Sequence, residues 1–461
     1  MRATTLPAAT ARAPVRRSRA DLLVLGVEAA LIALAAVVGA VLNARGVGLH
    51  ADAAPLYATW RPHLGWGTPG ALLVAGTVLG VGTRWARTAG WTALLGAAYL
   101  SSVAWTLALA LVDGWSAGFA ERLTAQAEYL HEVPRVTDVP AMLAGFTDRI
   151  LDFRPDSWAT HTAGHPPGAL LVFVALDRVG LGGGVAAALV CVLVGASVTI
   201  SVPVAMRALG AADAARAVLP FLVLLPGAVW LGASADGLFA GVVAAGLALL
   251  AVRGRVAPAA GGLLLGGALY LSYGFVLTGV LALAVLALRP TGRVTALLAA
   301  TAGVAAVAVA FTAAGFRWWD GYRLVVERYY QGWAADRPYG YWVWANLAAL
   351  LLSAGPVLGP ALRRAVGAGA RTVQPGRSWR DRAARLRAAG PIVLLPVAAA
   401  VAVLAGDLSG LSKAEVERIW LPFAVWLLVA TAHLPASTRR WWLLGQAGTA
   451  LAVNHLLWTV S

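Results

Sequence analysis

The residues best suited to chemistry fall in one polar stretch and at one distant arginine. Residues 113–168 carry eight acids, Asp113 and Glu128 among them, against four arginines, a local charge of −4 in a chain of net charge +15. The stretch closes on Thr160-His161-Thr162-Ala163-Gly164-His165-Pro166-Pro167-Gly168, directly before an apolar run. Proline suits the first turn of a helix, where its missing N–H would have no partner, so the Pro pair marks a helix start with His165 at its N-terminus. Free N–H groups and the positive dipole end favour an anion there, and a lipid phosphate is the anion available at head-group depth. The plainer reading is a helix start flanked by interfacial histidines. Far downstream, Arg418 follows Glu415 and Glu417 and leads into Ile419-Trp420-Leu421. It reads either as an anion ligand at a membrane boundary or as a snorkelling arginine paired with Glu415.

The elements that must position these residues are membrane helices. With 60% hydrophobic residues, 12% charged and a mean hydropathy of +0.75 over 461 residues, the chain lacks the polar surface of a soluble globule. It is expected to be an all-α, polytopic transmembrane helical bundle of about thirteen helices. Its arginines sit in short clusters between apolar runs, a positive-inside pattern that explains the basic charge without a nucleic-acid partner. The single cysteine, Cys191, lies in an apolar run and reads as helix packing.

Residues 1–20 are arginine-rich without an acid before 21, and the run Leu22–Leu42 is about the 20 residues needed to span, so it reads as a retained first helix with a cytoplasmic N-terminus. The arginine-rich loop 363–387 belongs in the cytoplasm, which puts the loops 113–165, 316–345 and 406–418 together on the outer face. The same counting takes 167–180 as a span and 260–288 as one run, and leaves Arg207, Arg253 and Arg255 outside, against the rule. Within the long loop, Ala117–Leu130 and Val139–Leu151 are expected as helices lying in the interface plane. The aromatic-rich loop 316–345 reads mainly as an interfacial belt, with an acceptor platform as the alternative.

The His-Pro-Pro motif before an apolar helix resembles that of the GT-C superfamily of integral-membrane glycosyltransferases, which includes the protein O-mannosyltransferases and aminoarabinose transferases. Pro226–Phe239, PGAVWLGASADGLF, resembles that superfamily's helix with a Ser/Thr, an Asp and a following apolar run. Gly266–Phe275, GGALYLSYGF, resembles its glycine-rich helix, and Arg418–Pro422, RIWLP, its late Arg-aromatic-x-Leu-Pro signature. All lie in the order the superfamily shows. In that group an Asp-Glu or Asp-x-Asp pair usually shares the first outer loop with the Pro-Pro motif. Here the first loop offers a lone Asp52 and the Pro-Pro motif comes one hairpin later. The chain is therefore expected to place an extra N-terminal tail and hairpin, residues 1–90, before a GT-C-like core, residues 91–461.

The resemblance implies transfer of a sugar from a polyprenyl-phosphate donor to a glycan or lipid acceptor of the cell envelope, on the outer face of a bacterial plasma membrane. An acceptor hydroxyl needs a general base, for which Asp113 ranks first and Glu128 second; a solvated acid on a polar loop is the alternative for each. The leaving phosphate needs positive charge or oriented donors, for which His161, His165 and Arg418 are the candidates. No second acid adjoins Asp113, so no paired-acid metal site and no cofactor are expected; a divalent metal has no support in the sequence. Membrane lipids are the remaining partners. Two other functions stand beside this one: a lipid or solute transporter, and a non-catalytic protein of envelope biogenesis.

Overall fold

The computed structural model describes residues 19–232, 234–372, 384–385 and 387–459. The tail expected over 1–18 and the middle of the arginine loop, including Pro375 and Gly376, lie outside the described residues. Apart from short strands, the described chain is helical, as the apolar runs predict. Five helices are long and apolar enough to cross a membrane, Arg19–Ala44, Trp91–Asp113, Gly184–Ala208, Arg293–Ala313 and Pro391–Leu408. A sixth follows if Tyr339–Ala354 and Leu358–Thr372, bent by 100° at Gly355, count as one span. Among the described residues, five or six helices are thus long and apolar enough to cross, where the apolar runs predict about thirteen spans. The run 260–288 is in fact two helices, broken near Tyr270–Ser272. Large apolar side chains stand exposed along the long helices, for example Leu23, Val27 and Val37 on the first and Val294, Leu298 and Val309 on Arg293–Ala313. Apolar faces of that extent mark contact with lipid. The protein is a membrane-associated helical bundle.

The loops expected together do meet on one side. Asp152 pairs with Arg328 at 2.6 Å, the Tyr329 hydroxyl accepts the Lys413 backbone N–H at 2.9 Å, and His63 reaches Asp113 at 2.7 Å. The first loop fits because Gly65 and Gly67 lie flush on the end of the Trp91–Ala110 helix; a Cβ at either would overlap the carbonyls of Val112 and Ala108. The chain's last described strand, Leu457–Thr459, pairs antiparallel with Ala58–Trp60 in the same layer.

One helix behaves differently from expectation, and it changes the topology. The helix after the Pro pair begins at Pro167, as predicted, but ends at Arg178 after 12 residues, about 18 Å. Arg178 donates to the carbonyls of Val136 and Thr137 at 2.7 and 3.1 Å, so both ends lie in the loop layer and the helix does not cross. The next helix, Gly184–Ala196, then starts against Ala120 in that same layer. Its continuation delivers Arg207 to the opposite end, over the ring of Trp91 at 4.7 Å, where Arg216 also donates to Ala86 and Ala89. The 17-residue helix Ala235–Ala251 likewise carries the chain about 25 Å from Asp236 to Arg253 and Arg255. Arg207 and Arg216 thus lie beside the segment that carries Arg84 and Arg87.

The interface-plane helices are also corrected. Residues 116–131 form only single turns, and Val139–Ala144 with Phe146–Arg149 make a short bent segment. Its apolar positions Met142, Leu143, Phe146 and Ile150 are buried in the protein. The helical period was right, but the face packs on protein rather than lipid. A buried acid organises this layer: Glu132 pairs with Arg135 at 2.9 Å, lies 3.7 Å from Arg149 and accepts the Ala159 backbone N–H at 2.8 Å. Arg149 stacks on buried Trp158 at 3.3 Å. Loop 316–345 is largely helical, with Trp318–Gln331 packed across the same layer and Tyr339–Ala354 starting beyond it.

Candidate functional site

Arg418 is the hub. It sits on the one-turn helix Val416–Ile419, whose preceding residues Ala414 and Glu415 both take left-handed backbone angles, φ 70° and 61°. That turn aims the guanidinium inward, where its side chain is 11% exposed. Nη1 donates to Asp236 at 2.8 Å, while Nη2 donates to Glu415 at 2.6 Å and lies 3.3 Å from His161 Nε2. Asp236 is delivered from the first turn of Ala235–Ala251, where Ser234 caps the helix. Burial opposes the charge on Arg418, but Asp236 and Glu415 more than offset it and raise its pKa, so the group stays a cation. Burial likewise raises Glu415, but Arg418 and Arg337 prevail and hold it below the ordinary carboxylate value. Arg418 is therefore neither snorkelling nor free: two carboxylates hold it. Its Nε is buried without a protein hydrogen-bond partner.

The hydrogen bonds fix the state of His161. An arginine N–H can only donate, so Nε2 of His161 accepts from Arg418 and the proton sits on Nδ1. Nδ1 lies 2.9 Å from Glu128 Oε1 and donates to it. His161 thus bridges Arg418 to Glu128. Burial raises the pKa of Glu128, yet His161 and Arg418 outweigh it and leave the carboxyl below its ordinary value, ionised at neutral pH. A second dyad stands beside this one. His63 Nδ1 faces the carbonyl of Arg61 at 2.7 Å and must carry a proton, so one further proton is shared between Nε2 and Asp113 at 2.7 Å. Arg122 is attracted by both Asp113 and Glu128 and repelled by Arg418, which joins the two dyads in one electrostatic assembly.

His165 plays another part. Its Nδ1 donates to the carbonyl of His161 at 2.8 Å, and its ring packs by Tyr129 and Phe239. Burial pushes its pKa down from 6.5 to about 4, so at neutral pH it supplies no positive charge to a phosphate. Because the folded value is the lower one, the unfolded chain takes up the proton first as pH falls. The stabilisation from a neutral His165 is complete above pH 6.5 and lost through the window down to about 4. Glu128 and Glu415, also lowered, add a loss only below 4.5. Burial raises the Glu417 carboxyl from 4.5 to about 7, which favours the fold as pH falls through nearly the same window and opposes the His165 contribution, so the expected result is differential: His165→Asn, which keeps a donor to the carbonyl but does not titrate, should gain thermal midpoint relative to the wild type on going from pH 6.5 to 4.

Of the five sequence candidates, Glu128, His161 and Arg418 join one bonded group with Asp236 and Glu415, His165 adjoins it through the His161 carbonyl, and Asp113 forms a separate pair with His63. Sequence reasoning left Asp236, Arg122, His63 and Arg337 out of the candidates. Asp236 stood inside a quoted motif; an acid at the start of an apolar run was its signal. Tyr270 is packing, stacked on Phe311 at 3.9 Å. Among the described residues no group of three His, Cys, Asp or Glu is placed to hold a metal ion; the acids of the assembly face arginine and histidine. Chemically, the assembly offers an ionised carboxylate, a proton-sharing Asp–His pair and recessed guanidinium donors at the end of a helical bundle. No protein-family model matches the chain, and no curated protein matches it significantly.

Proposed function

We propose that the chain is a GT-C-like integral-membrane glycosyltransferase that moves a sugar from a polyprenyl-phosphate donor to a glycan or lipid acceptor of the cell envelope. One observation carries this reading: Glu128, His161, Asp236 and Arg418, from the long loop and two separately recognised motifs, converge in one hydrogen-bonded group. In the proposed reaction the acceptor hydroxyl attacks the anomeric carbon, its proton passes to Glu128, and the bond to phosphate breaks with its electron pair leaving on polyprenyl phosphate. His161 orients Glu128, and Arg418 with Arg122 supplies the donors for the leaving oxygen. Asp113, sharing its proton with His63, is the competing base.

In this reading the site lies on the outer face of a bacterial plasma membrane, with the arginines of the opposite end cytoplasmic. Phe153→Cys, at a position 82% exposed in the loop layer, is expected to react with an impermeant maleimide in intact cells. Val256→Cys, 84% exposed at the opposite end, is expected to react only after permeabilisation. Cys191 is buried and supplies little background. The reverse pattern would contradict this orientation.

A non-catalytic role in envelope biogenesis is the second reading, favoured by the commitment of Arg418 to two carboxylates. The double variant Asp113→Asn, Glu128→Gln separates the two: normal membrane abundance with loss of the transferred sugar from the envelope supports the enzyme, and unchanged sugar content supports the accessory.

A further inference from the structure

A second feature of the loop layer carries its own chemistry. A cleft of about 610 Å³ opens where residues 46–52 face Trp333, with Tyr57 and Asn43 also lining it. That volume is in the range of small-molecule sites, ~300–1,000 Å³. Its lining sets the aromatic faces of Tyr57 and Trp333 beside the hydrogen-bonding side chains of Asn43, His50 and Asp52, and includes no arginine or lysine. Aromatic faces beside a carboxylate and an amide suit a neutral polyhydroxyl compound better than a phosphate.

The walls are rigid. The Trp333 ring is stacked by His50, centroids 5.3 Å apart and 2° from parallel, yet Trp333 stays 56% exposed. His50 Nε2 is in turn held by Asp336 at 3.0 Å, an approach that Gly48 permits, since a Cβ there would lie 3.0 Å from the Asp336 side chain. Asn43 donates to the Ala51 carbonyl at 2.8 Å. His50, Ala53 and Leu56, none of them glycine, have φ of 47°, 62° and 66°, strain of the kind that concentrates at ligand sites. Arg337 holds the segment in that form by donating to the carbonyls of Leu49 and His50 at 3.2 and 3.1 Å.

Arg337 also ties the cleft to the ion assembly: it lies over the Tyr57 ring at 5.5 Å, donates to the Lys413 carbonyl at 2.8 Å and lies 3.6 Å from Glu415, the partner of Arg418. We infer that this cleft is a carbohydrate subsite, in which the exposed Trp333 ring stacks on a sugar's C–H face and Asp52 and Asn43 bind its hydroxyls, and that it seats the acceptor glycan. The acceptor role rests on the transferase reading; sugar binding does not.

The test is saturation-transfer NMR on the full chain in nanodiscs free of sugar-headed detergent, with mannotriose, galactotriose and arabinotriose as probes. The wild type is expected to transfer saturation to the ring protons of at least one probe. Trp333→Ala should weaken that binding at least tenfold, Trp333→Phe should keep most of it, and Val256→Ala, an exposed position at the opposite end, should leave it unchanged. No transfer to any probe, or undiminished transfer with Trp333→Ala, would overturn the subsite. Sugar binding here by a chain that consumes no polyprenyl-phosphate sugar would leave the subsite standing and remove the transferase reading.

Discussion

Arg418→Ala is expected to cost about 3–5 kcal/mol of stability and to reduce sugar transfer by roughly 10²–10³-fold. The stability loss follows from what stays behind: Asp236 and Glu415 face one another's field in a recessed site with their shared cation gone, and His161 loses the donor that fixes its tautomer. The two effects are separable. Adding Asp236→Asn to Arg418→Ala removes one stranded charge and should recover a good part of the thermal midpoint in nanodiscs without recovering transfer. Arg418→Lys keeps the charge but replaces a planar fork with a single ammonium that cannot reach three partners at once, so it should fold better than alanine and transfer little. If Arg418→Ala with Asp236→Asn regains stability and transfer together, Arg418 is a structural ion-pair member and no more.

Glu128→Gln should do the opposite, changing chemistry with little change in fold. The amide oxygen can still accept from His161 Nδ1, so the thermal midpoint should stay near the wild type. Transfer should fall by roughly 10²–10⁴-fold, the range of a lost general base. Asp113→Asn is the internal comparison. It removes the acid from the His63 pair, and a larger fall there than with Glu128→Gln would move the base to Asp113.

Much of this architecture was legible in the chain, for identifiable reasons. The Pro pair fixes a helix start by backbone chemistry, and the helix does begin at Pro167. Glu128, His161 and Arg418 stood out because charged groups beside apolar runs demand partners. The partners themselves were not legible: Asp236 lies 182 residues from Arg418, and nothing local to either residue encodes the pairing. The crossing of 167–180 was misread because apolarity does not distinguish a helix buried in protein from one buried in lipid. The hydrogen bonds of Arg178 to the loop layer decide it. The same ambiguity turned the buried Met142, Leu143 and Phe146 face into an expected interfacial helix. The arginines Arg207, Arg253 and Arg255, which the count placed against the charge rule, were the warning in the sequence.

The central claim is that the assembly around Arg418 and Glu128 breaks a sugar–phosphate bond at the membrane. Its most direct measurement is release of polyprenyl phosphate from polyprenyl-phosphate mannose and polyprenyl-phosphate aminoarabinose by the purified full chain in nanodiscs, with envelope glycan added as acceptor. Acceptor-dependent release from at least one of these donors is expected of the wild type, with its loss in Glu128→Gln at unchanged thermal midpoint. Release from neither donor, or equal release by the wild type and Glu128→Gln, would contradict it.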